Sequence, residues 1–399
     1  MGIKKVYCRC YQKIVDIVAN MIKWKEPERV EGVDSFHSIP EILSNEEKWA
    51  PMIVTGPTLG KSNFLKSLYG ELSERTYVYD KVKSDPSVSQ VEEMVTLYRE
   101  HQCDSIVAIG GGSNIDAAKA MAARIARPDK SLQRMAGTMK VGRETPLFIA
   151  VPTTSGTGSE ATIAAVITDD RVNRKYSIMD GVLLPDYAVM DPGLTVSMPP
   201  TLTAVTGMDA LTHAVEAYLN VSYHNQVTRQ NCEEAVQGIM EFLELAYEQG
   251  DSLEAREEML IASYKAGVAF TRACVGNVHA IAHTIGGLYH VPHGLANAVV
   301  LPYVLEDYGE KVYEPLAHLA EISNVANEGT QQEKALKFIQ HIRQMNENMG
   351  IPNHLPQIRQ EDVAKMAKWA DKEANPLYPV PVIYDKKRFE RVILKVAGK

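Results

Sequence analysis

The chain has 399 residues, which suggests two or three domains, and 45% of its residues are hydrophobic, enough for large cores. Its net charge of −8 argues against a nucleic-acid partner and against membrane binding through basic patches. Five cysteines without a CxxC pair argue against a disulfide framework, and the interrupted apolar stretches argue against a transmembrane helix. We therefore expect a cytoplasmic globular protein.

The first 25 residues combine basic and apolar side chains, as an export signal does. However, Lys13, Asp16 and Asn20 interrupt the apolar region, and no small-residue cleavage site follows. The apolar residues instead form an amphipathic stripe of Ile14, Val15, Ile17, Val18, Met21 and Ile22. The stripe predicts a helix that packs on the body of the protein or on a partner subunit, within a helical extension that we assign to residues 1–45.

Four apolar runs, each followed by a helical pattern, predict buried strands at 50–55, 76–79, 104–109 and 146–151. The first run leads into Gly56-Pro-Thr-Leu-Gly-Lys-Ser62. This sequence resembles a phosphate-binding P-loop, but it has three residues between the glycines where the P-loop needs four. Because the missing residue changes the cradle of backbone N–H groups, we disfavour a P-loop.

Two loops predict a dinucleotide site. The strand at 104–109 runs into three glycines and an Ala-rich helix, so the backbone can approach a ligand and the helix N-terminus can face a phosphate. The strand at 146–151 runs into Pro152-Thr-Thr-Ser-Gly-Thr-Gly-Ser-Glu160, which offers several hydroxyl groups. The simpler alternative for this second loop is a helix cap.

Prolines at 192, 199 and 200 mark a domain boundary at about 198–201. Beyond it the pattern predicts helices at 203–220, 226–247, 253–272, 277–288, 294–306, 311–324, 331–348 and 361–371. The predicted fold is therefore a Rossmann-like α/β domain over 1–199 followed by an all-helical domain over 200–399. We expect the functional site between them.

Histidines are concentrated in one apolar segment, 275–301. His279 and His283 are four residues apart, which places them on one face of a helix, and His293 follows a break in the pattern. Upstream, Asp209 and His213 have the same helical spacing. One carboxylate and three imidazoles suit zinc or ferrous iron, whereas the simpler alternative is a set of unrelated core histidines.

These segments resemble the iron-containing (group III) alcohol dehydrogenase family. The resemblance rests on GMDALTHAVEAY at 207–218 and VHAIAHTIGGLYHVPHGLANAVVLP at 278–302, and it covers most of the chain from about residue 50. Three further stretches match in the same order: GGGSNIDAAKA at 110–120, PTTSGTGSE at 152–160 and LLPDYAVMDPGLTVSMPP at 183–200. A short, strand-rich start is typical of the family, so the N-terminal helix is a departure from it.

The resemblance implies a function for individual residues. It identifies the metal ligands as Asp209, His213, His279 and His293, and it places His283 near the nicotinamide and substrate as a proton relay. The residues implied in cofactor binding are Gly111, Gly112, Ser113, Asp116, Thr153, Thr154, Thr157 and Lys175. Asp116 has the alternative role of holding its loop in place.

The implied reaction transfers hydride between a nicotinamide and a small primary alcohol or aldehyde, with iron or zinc as the Lewis acid. We expect NAD or NADP as cofactor and a homodimer as the assembly. The main alternative is a metal-dependent lyase or hydrolase, or a polyol dehydrogenase, on the same dehydroquinate-synthase-like or glycerol-dehydrogenase-like scaffold. A non-enzymatic binding module is a more distant alternative.

Gly56 bears on the choice of cofactor. In many relatives the first strand ends in Val-Thr-Asp, and that Asp binds the adenosine ribose and repels a 2′-phosphate. Here Gly56 follows Val-Thr, and Thr58, Lys61 or Ser62 could meet the phosphate. We therefore expect NADP, or use of both cofactors. The alternative is that Gly56 only makes a tight turn.

Overall fold

We describe the chain from a computed structural model, in residues 3–21, 25–171, 174–223 and 225–399. The chain forms two compact units. The α/β unit is Lys25–Val196, and the helical unit joins the N-terminal helix to Ser197–Lys399. Within the residues described, no helix is both long and apolar enough to cross a membrane.

Strands and helices are numbered in chain order. The strands are β1 (Glu28–Glu31), β2 (Pro51–Val54), β3 (Tyr77–Tyr79), β4 (Ser105–Gly110), β5 (Gly137–Thr138), β6 (Leu147–Pro152), β7 (Ala164–Asp169), β8 (Arg174–Met179) and β9 (Tyr187–Met190). The helices are α1 (Ile3–Met21), α2 (Ile39–Asn45), α3 (Asn63–Glu71), α4 (Val88–Glu100), α5 (Gly112–Ala126), α6 (Leu132–Met135), α7 (Pro200–Leu219), α8 (Gln226–Glu248), α9 (Leu253–Ala273), α10 (Asn277–Tyr289), α11 (His293–Tyr308), α12 (Tyr313–Ile322), α13 (Gln331–Asn348), α14 (Gln360–Ala374) and α15 (Lys386–Val396).

The α/β unit contains a six-stranded parallel sheet in the order β1-β9-β6-β4-β2-β3. Every residue of β2 and β4 is buried, as expected for strands covered on both faces. The four predicted strands are confirmed as β2, β3, β4 and β6. Because these strands are parallel, the loops after β2, β4 and β6 leave the same edge of the sheet, where ligands bind in such folds.

The helical unit confirms the eight helices predicted after the boundary, which correspond to α7–α14. A further helix, α15, packs on α11 and α14. Helix α7 packs on α8, α9 and α11, and α10 packs on α11 and α14. Because α7 is in contact with other helices on several sides, most of its residues are buried, including its polar ones. Asp209 and His213, the metal-ligand candidates on α7, therefore lie in the interior of this unit.

The predicted N-terminal helix is present as α1, but it belongs to the helical unit, so the predicted first domain of 1–199 is wrong at its start. The helix attaches through its polar face. The Gln12 amide donates to the carbonyls of Pro376 and Tyr378 at 3.0 and 2.8 Å, and the Arg9 guanidinium donates to the carbonyl of Val380 at 2.8 Å. These bonds tie α1 to the segment after α14.

Two residues of the apolar stripe of α1 are exposed. Ile14 and Ile17 are 63% and 64% exposed. The predicted packing of this stripe on the body is therefore wrong for these two residues, because the polar face makes the attachment instead. Ile22 lies outside the described residues, and so do the side chains of Val18 and Met21.

Candidate functional site

Two of the predicted cofactor loops meet at the edge of the large sheet. Gly111 and Gly112 follow β4, and a Cβ atom added to either would approach Thr154 Oγ1 to 3.2 Å or Thr157 Oγ1 to 2.8 Å, respectively. Thr153 is the first residue after β6, and it donates its N–H to the carbonyl of Gly110 at 3.1 Å. The glycines are thus required for the close approach of the two loops.

The N-terminus of α5 fits a phosphate group. The helix begins at Gly112, its N-cap is Gly111, and no side chain caps its first N–H groups. Ser113 lies in this first turn. The buried Nδ2 of Asn114 has no hydrogen-bond partner among the described residues. Unused donors around a glycine-lined turn are the chemistry that binds a pyrophosphate.

Gly56 lies beside this turn. A Cβ atom added to it would be 3.4 Å from Nδ2 of Asn114 and 3.3 Å from the carbonyl oxygen of Val82. The structure therefore brings the loop after β2 to the loop after β4. Thr58 is exposed in the same loop.

Two predicted cofactor residues are occupied by other contacts. Asp116 accepts hydrogen bonds from Ser159 Oγ at 2.6 Å and from the N–H of Val166 at 3.0 Å, so both carboxylate oxygens hold protein groups. This arrangement favours the loop-holding alternative over contact with the cofactor. Lys175 lies on β8, where its ammonium group pairs with Asp85 at 2.5 Å on the surface.

The metal-ligand candidates converge from three helices. Asp209 and His213 lie on α7, His279 lies on α10 and His293 begins α11, and one ligand atom from each lies within 4.8 Å of the other three. The Asp209 Oδ1 atom is 3.6 Å from His293 Nε2 and 3.9 Å from His279 Nε2. The first three residues are buried, and the His293 side chain is 39% exposed. Spacing on separate segments thus predicted a cluster that the fold brings together.

The electrostatics of this cluster fit a cation. Burial raises the pKa of Asp209 above its usual range, and burial together with the neighbouring imidazoles holds the pKa of His279 well below its own. A neutral imidazole is the form that binds a metal, and a divalent ion would stabilise the buried carboxylate. One oxygen and three nitrogen donors suit ferrous iron or zinc.

Two further residues touch the cluster, and the spacing analysis did not identify them. The Asn297 amide, one turn after His293, lies 2.6 Å from Asp209 Oδ1 and 3.1 Å from Nε2 of both His279 and His293. The buried carboxylate of Glu216 accepts a hydrogen bond from His279 Nδ1 at 2.7 Å. Burial raises the pKa of Glu216 to about 7, although its N–H donors lower it. Glu216 follows His213 by three residues, which is the one sequence signal that it faces the same way.

His283 lies beside the cluster and outside it. Its ring stacks on that of His293, with 5.1 Å between centroids, and its Nδ1 is 2.6 Å from Glu373 Oε1. The Tyr378 hydroxyl donates to the same oxygen at 3.1 Å. Burial lowers the pKa of His283, but the carboxylates of Glu373, Asp209 and Glu216 together outweigh it and the net pKa is raised. A histidine oriented by a carboxylate is suited to moving a proton.

A glycine-lined turn for a dinucleotide and a buried Asp-His₃ cluster for a metal define a metal-dependent, nicotinamide-dependent oxidoreductase. The family model "Iron-containing alcohol dehydrogenase" matches residues 27–192, and "Fe-containing alcohol dehydrogenase family, C-terminal" matches residues 203–393. The chain belongs to the iron-containing alcohol dehydrogenase family, and it is an alcohol oxidoreductase.

Individual relatives agree with this conclusion. The chain is 38% identical to an NADPH-dependent butanol dehydrogenase of Clostridium saccharobutylicum over 80% of its length and 82% of that protein. It is also 38% identical to an NAD-dependent methanol dehydrogenase of Bacillus methanolicus, over 73% and 77%. Among solved structures, an alcohol dehydrogenase from Oenococcus oeni has a TM-score of 0.89 at 33% identity and covers 94% of this chain and 99% of its own. These names disfavour the lyase and binding-module alternatives.

Proposed function

We propose that this protein interconverts a small primary alcohol and its aldehyde, with a divalent metal held by Asp209, His213, His279 and His293. The convergence of these four side chains within 4.8 Å carries the proposal. The bound metal would act as a Lewis acid toward the substrate oxygen. The α/β unit binds the nicotinamide cofactor, which accepts hydride from the alcohol carbon in oxidation and returns it in reduction.

The test is the absorbance of NADH and NADPH at 340 nm with a panel of short aldehydes, on protein reconstituted with ferrous iron or with zinc. We expect turnover with at least one aldehyde and a loss of most activity in His279→Ala. Full metal content together with full turnover in that variant would refute the ligand assignment. Leu336→Ala, a change at an exposed position in the same unit, serves as the control.

The cofactor loops are assigned by the same proposal. Gly111, Gly112 and Ser113 at the start of α5 bind the pyrophosphate, and Thr153, Thr154 and Thr157 complete the loop around it. Gly112→Ala tests this, because its Cβ would lie 2.8 Å from Thr157 and displace that loop. We expect a raised KM for the nicotinamide cofactor with metal content unchanged. An unaltered cofactor KM would contradict the assignment.

His283 is proposed as the proton relay. In oxidation the hydroxyl proton leaves the substrate through His283 Nε2, while Nδ1 remains bonded to Glu373 at 2.6 Å. The Glu373 carboxylate, held in turn by Tyr378, keeps Nδ1 as the donor and fixes the orientation of the ring. Loss of the bound metal in His283→Ala would contradict the relay assignment, because it would identify His283 as a metal ligand.

We propose NADP as the preferred cofactor, or use of both cofactors. The glycine at position 56 supports this, because a carboxylate at this position would repel a 2′-phosphate. The comparisons include relatives named for each cofactor, so the preference must come from the residues of this chain.

We further propose a homodimer, with α1 of each copy paired antiparallel to the other. The outward face of α1 carries large apolar residues at intervals of four and three, which is the spacing of a helix–helix seam. These residues are Ile3, Tyr7, Ile14 and Ile17, each at least 60% exposed, with the exposed Cys10 between them. In the antiparallel register centred on residue 12, Tyr7 meets the partner's Ile17 and Cys10 meets the partner's Ile14. The outward faces of the two helices are therefore complementary.

Light scattering tests the dimer. We expect twice the chain mass for the wild type and a shift towards monomer for Ile14→Lys, whereas Leu336→Lys at an exposed position of α13 leaves the mass unchanged. A wild-type monomer would refute the dimer, and a dimer that tolerates Ile14→Lys would refute the role of α1.

The five free cysteines support a reducing, cytoplasmic location, which cell fractionation tests.

A further inference from the structure

Glu216 links two of the helices that carry the candidate ligands. It lies on α7, three residues after His213, and it is 3% exposed. Its Oε1 accepts the N–H of Val278 at 2.7 Å, and its Oε2 accepts the N–H of Gly276 at 2.8 Å as well as His279 Nδ1 at 2.7 Å. One buried carboxylate thus holds the first turn of α10 and the ligand candidate within it.

The backbone contacts explain why a carboxylate is present. The N-cap of α10 is Gly276, which has no side chain to cap the first N–H groups of that helix. Glu216 supplies the missing acceptor from α7, and its negative charge lies at the positive end of the helix. These bonds also fix the place of His279 relative to Asp209 and His213 on α7.

The His279 contact determines which ring nitrogen carries the proton. Because both Glu216 oxygens accept backbone N–H groups, the carboxylate acts as an acceptor, and Nδ1 of His279 must donate to it. The neutral ring then has its lone pair on Nε2, which is the atom that lies 3.9 Å from Asp209 Oδ1. Only a nitrogen without a proton can bind a metal.

We propose that Glu216 is a positioning residue for the metal: it sets the tautomer of His279 and places the α10 ligand against the α7 ligands. The proposal rests on the metal site proposed above. It extends that site by one residue, which acts through His279 and does not itself bind the ion. Gly276 leaves room for this carboxylate, because a Cβ atom at this position would lie 2.6 Å from Glu216 Oε1.

The decisive variant is Glu216→Gln, which keeps the shape and removes the charge. A glutamine has one acceptor oxygen and one NH₂ group for three N–H donors. If the NH₂ group faces His279, the ring must accept at Nδ1 and carry its proton on Nε2, where it blocks the metal. If the NH₂ group takes the place of Oε1, it opposes the N–H of Val278, while the oxygen in the place of Oε2 still accepts from Gly276 and His279. The first orientation removes the ligating tautomer, and the second weakens the hold of residue 216 on the first turn of α10.

The experiment titrates Co²⁺ alone, as the probe, into metal-free protein and follows its visible absorption. Outer partners of this kind typically contribute 10–100-fold to metal affinity, so we expect the Kd for Co²⁺ to rise by about that factor in Glu216→Gln, with unchanged circular dichroism. Gly276→Ala displaces the same carboxylate by a different route and is expected to weaken Co²⁺ binding in the same direction.

Glu373→Gln is the matched control. It removes the carboxylate from the other histidine of α10, His283, which is outside the ligand set, so the Kd for Co²⁺ is expected to stay within about twofold of wild type. If Glu216→Gln binds Co²⁺ as tightly as wild type while His279→Ala does not, the positioning role is refuted and the metal site stands. If His279→Ala also binds Co²⁺ normally, the metal site is refuted and this inference with it.

Discussion

Replacing Gly56 with aspartate is predicted to move the cofactor preference from NADPH toward NADH. Gly56 is the second residue after β2, and it lies beside the first turn of α5. A carboxylate there would accept hydrogen bonds from the hydroxyl groups of the adenosine ribose, and it would repel a 2′-phosphate at the same position. Both effects favour NADH.

The expected gain in binding energy is opposed by a steric cost that the structure shows. A charge-assisted hydrogen bond contributes about 1.5–3 kcal/mol, which is roughly a tenfold to hundredfold change in kcat/KM. The added Cβ would contact the Val82 carbonyl at 3.3 Å and Asn114 Nδ2 at 3.4 Å, so the loop must give by a few tenths of an ångström. Gly56→Ala carries the same Cβ without the charge, and it isolates this cost.

The assay compares kcat/KM for NADPH and NADH in the wild type, Gly56→Ala and Gly56→Asp. We expect the wild type to prefer NADPH or to use both cofactors. The alanine variant should lower both values together, and the aspartate variant should change their ratio by at least about tenfold relative to alanine. A strong wild-type preference for NADH, or equal ratios in the two variants, would refute this interpretation of Gly56.

Three other predictions concern chemistry and stability. His283→Ala should retain bound metal, lower kcat by about 10²-fold or more, and alter its pH profile, as loss of a proton relay does; retained kcat would count against the relay. Cys274 has a φ of 63°, which is strained for a residue with a Cβ, so Cys274→Gly should raise the free energy of unfolding by about 1 kcal/mol in urea titrations. Burial raises the pKa of Glu160 to about 7 from an unfolded value of 4.5, so the folded state binds the extra proton and stability falls as pH rises from 4.5 to 7. Between pH 4.5 and 7 the free energy of unfolding should fall by roughly 2–3 kcal/mol more in the wild type than in Glu160→Gln. The same dependence of this free energy on pH in both proteins would contradict the prediction.

The elements that the sequence predicted are those with strong periodicity. Helices α7–α14 have apolar residues at helical spacing, and β2 and β4 are continuous apolar runs because both of their faces are buried. In contrast, β1 reads Glu-Arg-Val-Glu at the edge of the sheet, where three of its four residues are exposed. A polar edge strand has no apolar pattern, so pairing with β9 alone defines it.

The residues of the candidate site also differ in how far the sequence indicates them. Asp209 and His213 could be found because helical spacing and residue type both indicate ligands. His279 has the same spacing to His283, so only the family resemblance selected His279 and His293. For Glu216 the spacing from His213 indicates only a shared helix face. Its role does not follow from the sequence, because two of its three partners are backbone N–H groups some 60 positions along the chain, and backbone groups leave no mark on the sequence. The sequence left two roles open for Asp116 for a related reason: its partners, Ser159 and Val166, come from a loop whose path is a tertiary property.

The attachment of α1 through its polar face gives the protein an internal reporter. Cys8 lies on that face and is 1% exposed, in a small cluster with Val380 and Ile383, whereas Cys10 on the outward face is exposed. Among the α1 side chains that the structure describes, none belongs to the main core of the helical unit, so this part of the helix can leave without opening that core. Thiol labelling of Cys8 would therefore measure how often the helix detaches, and so the free energy of its attachment.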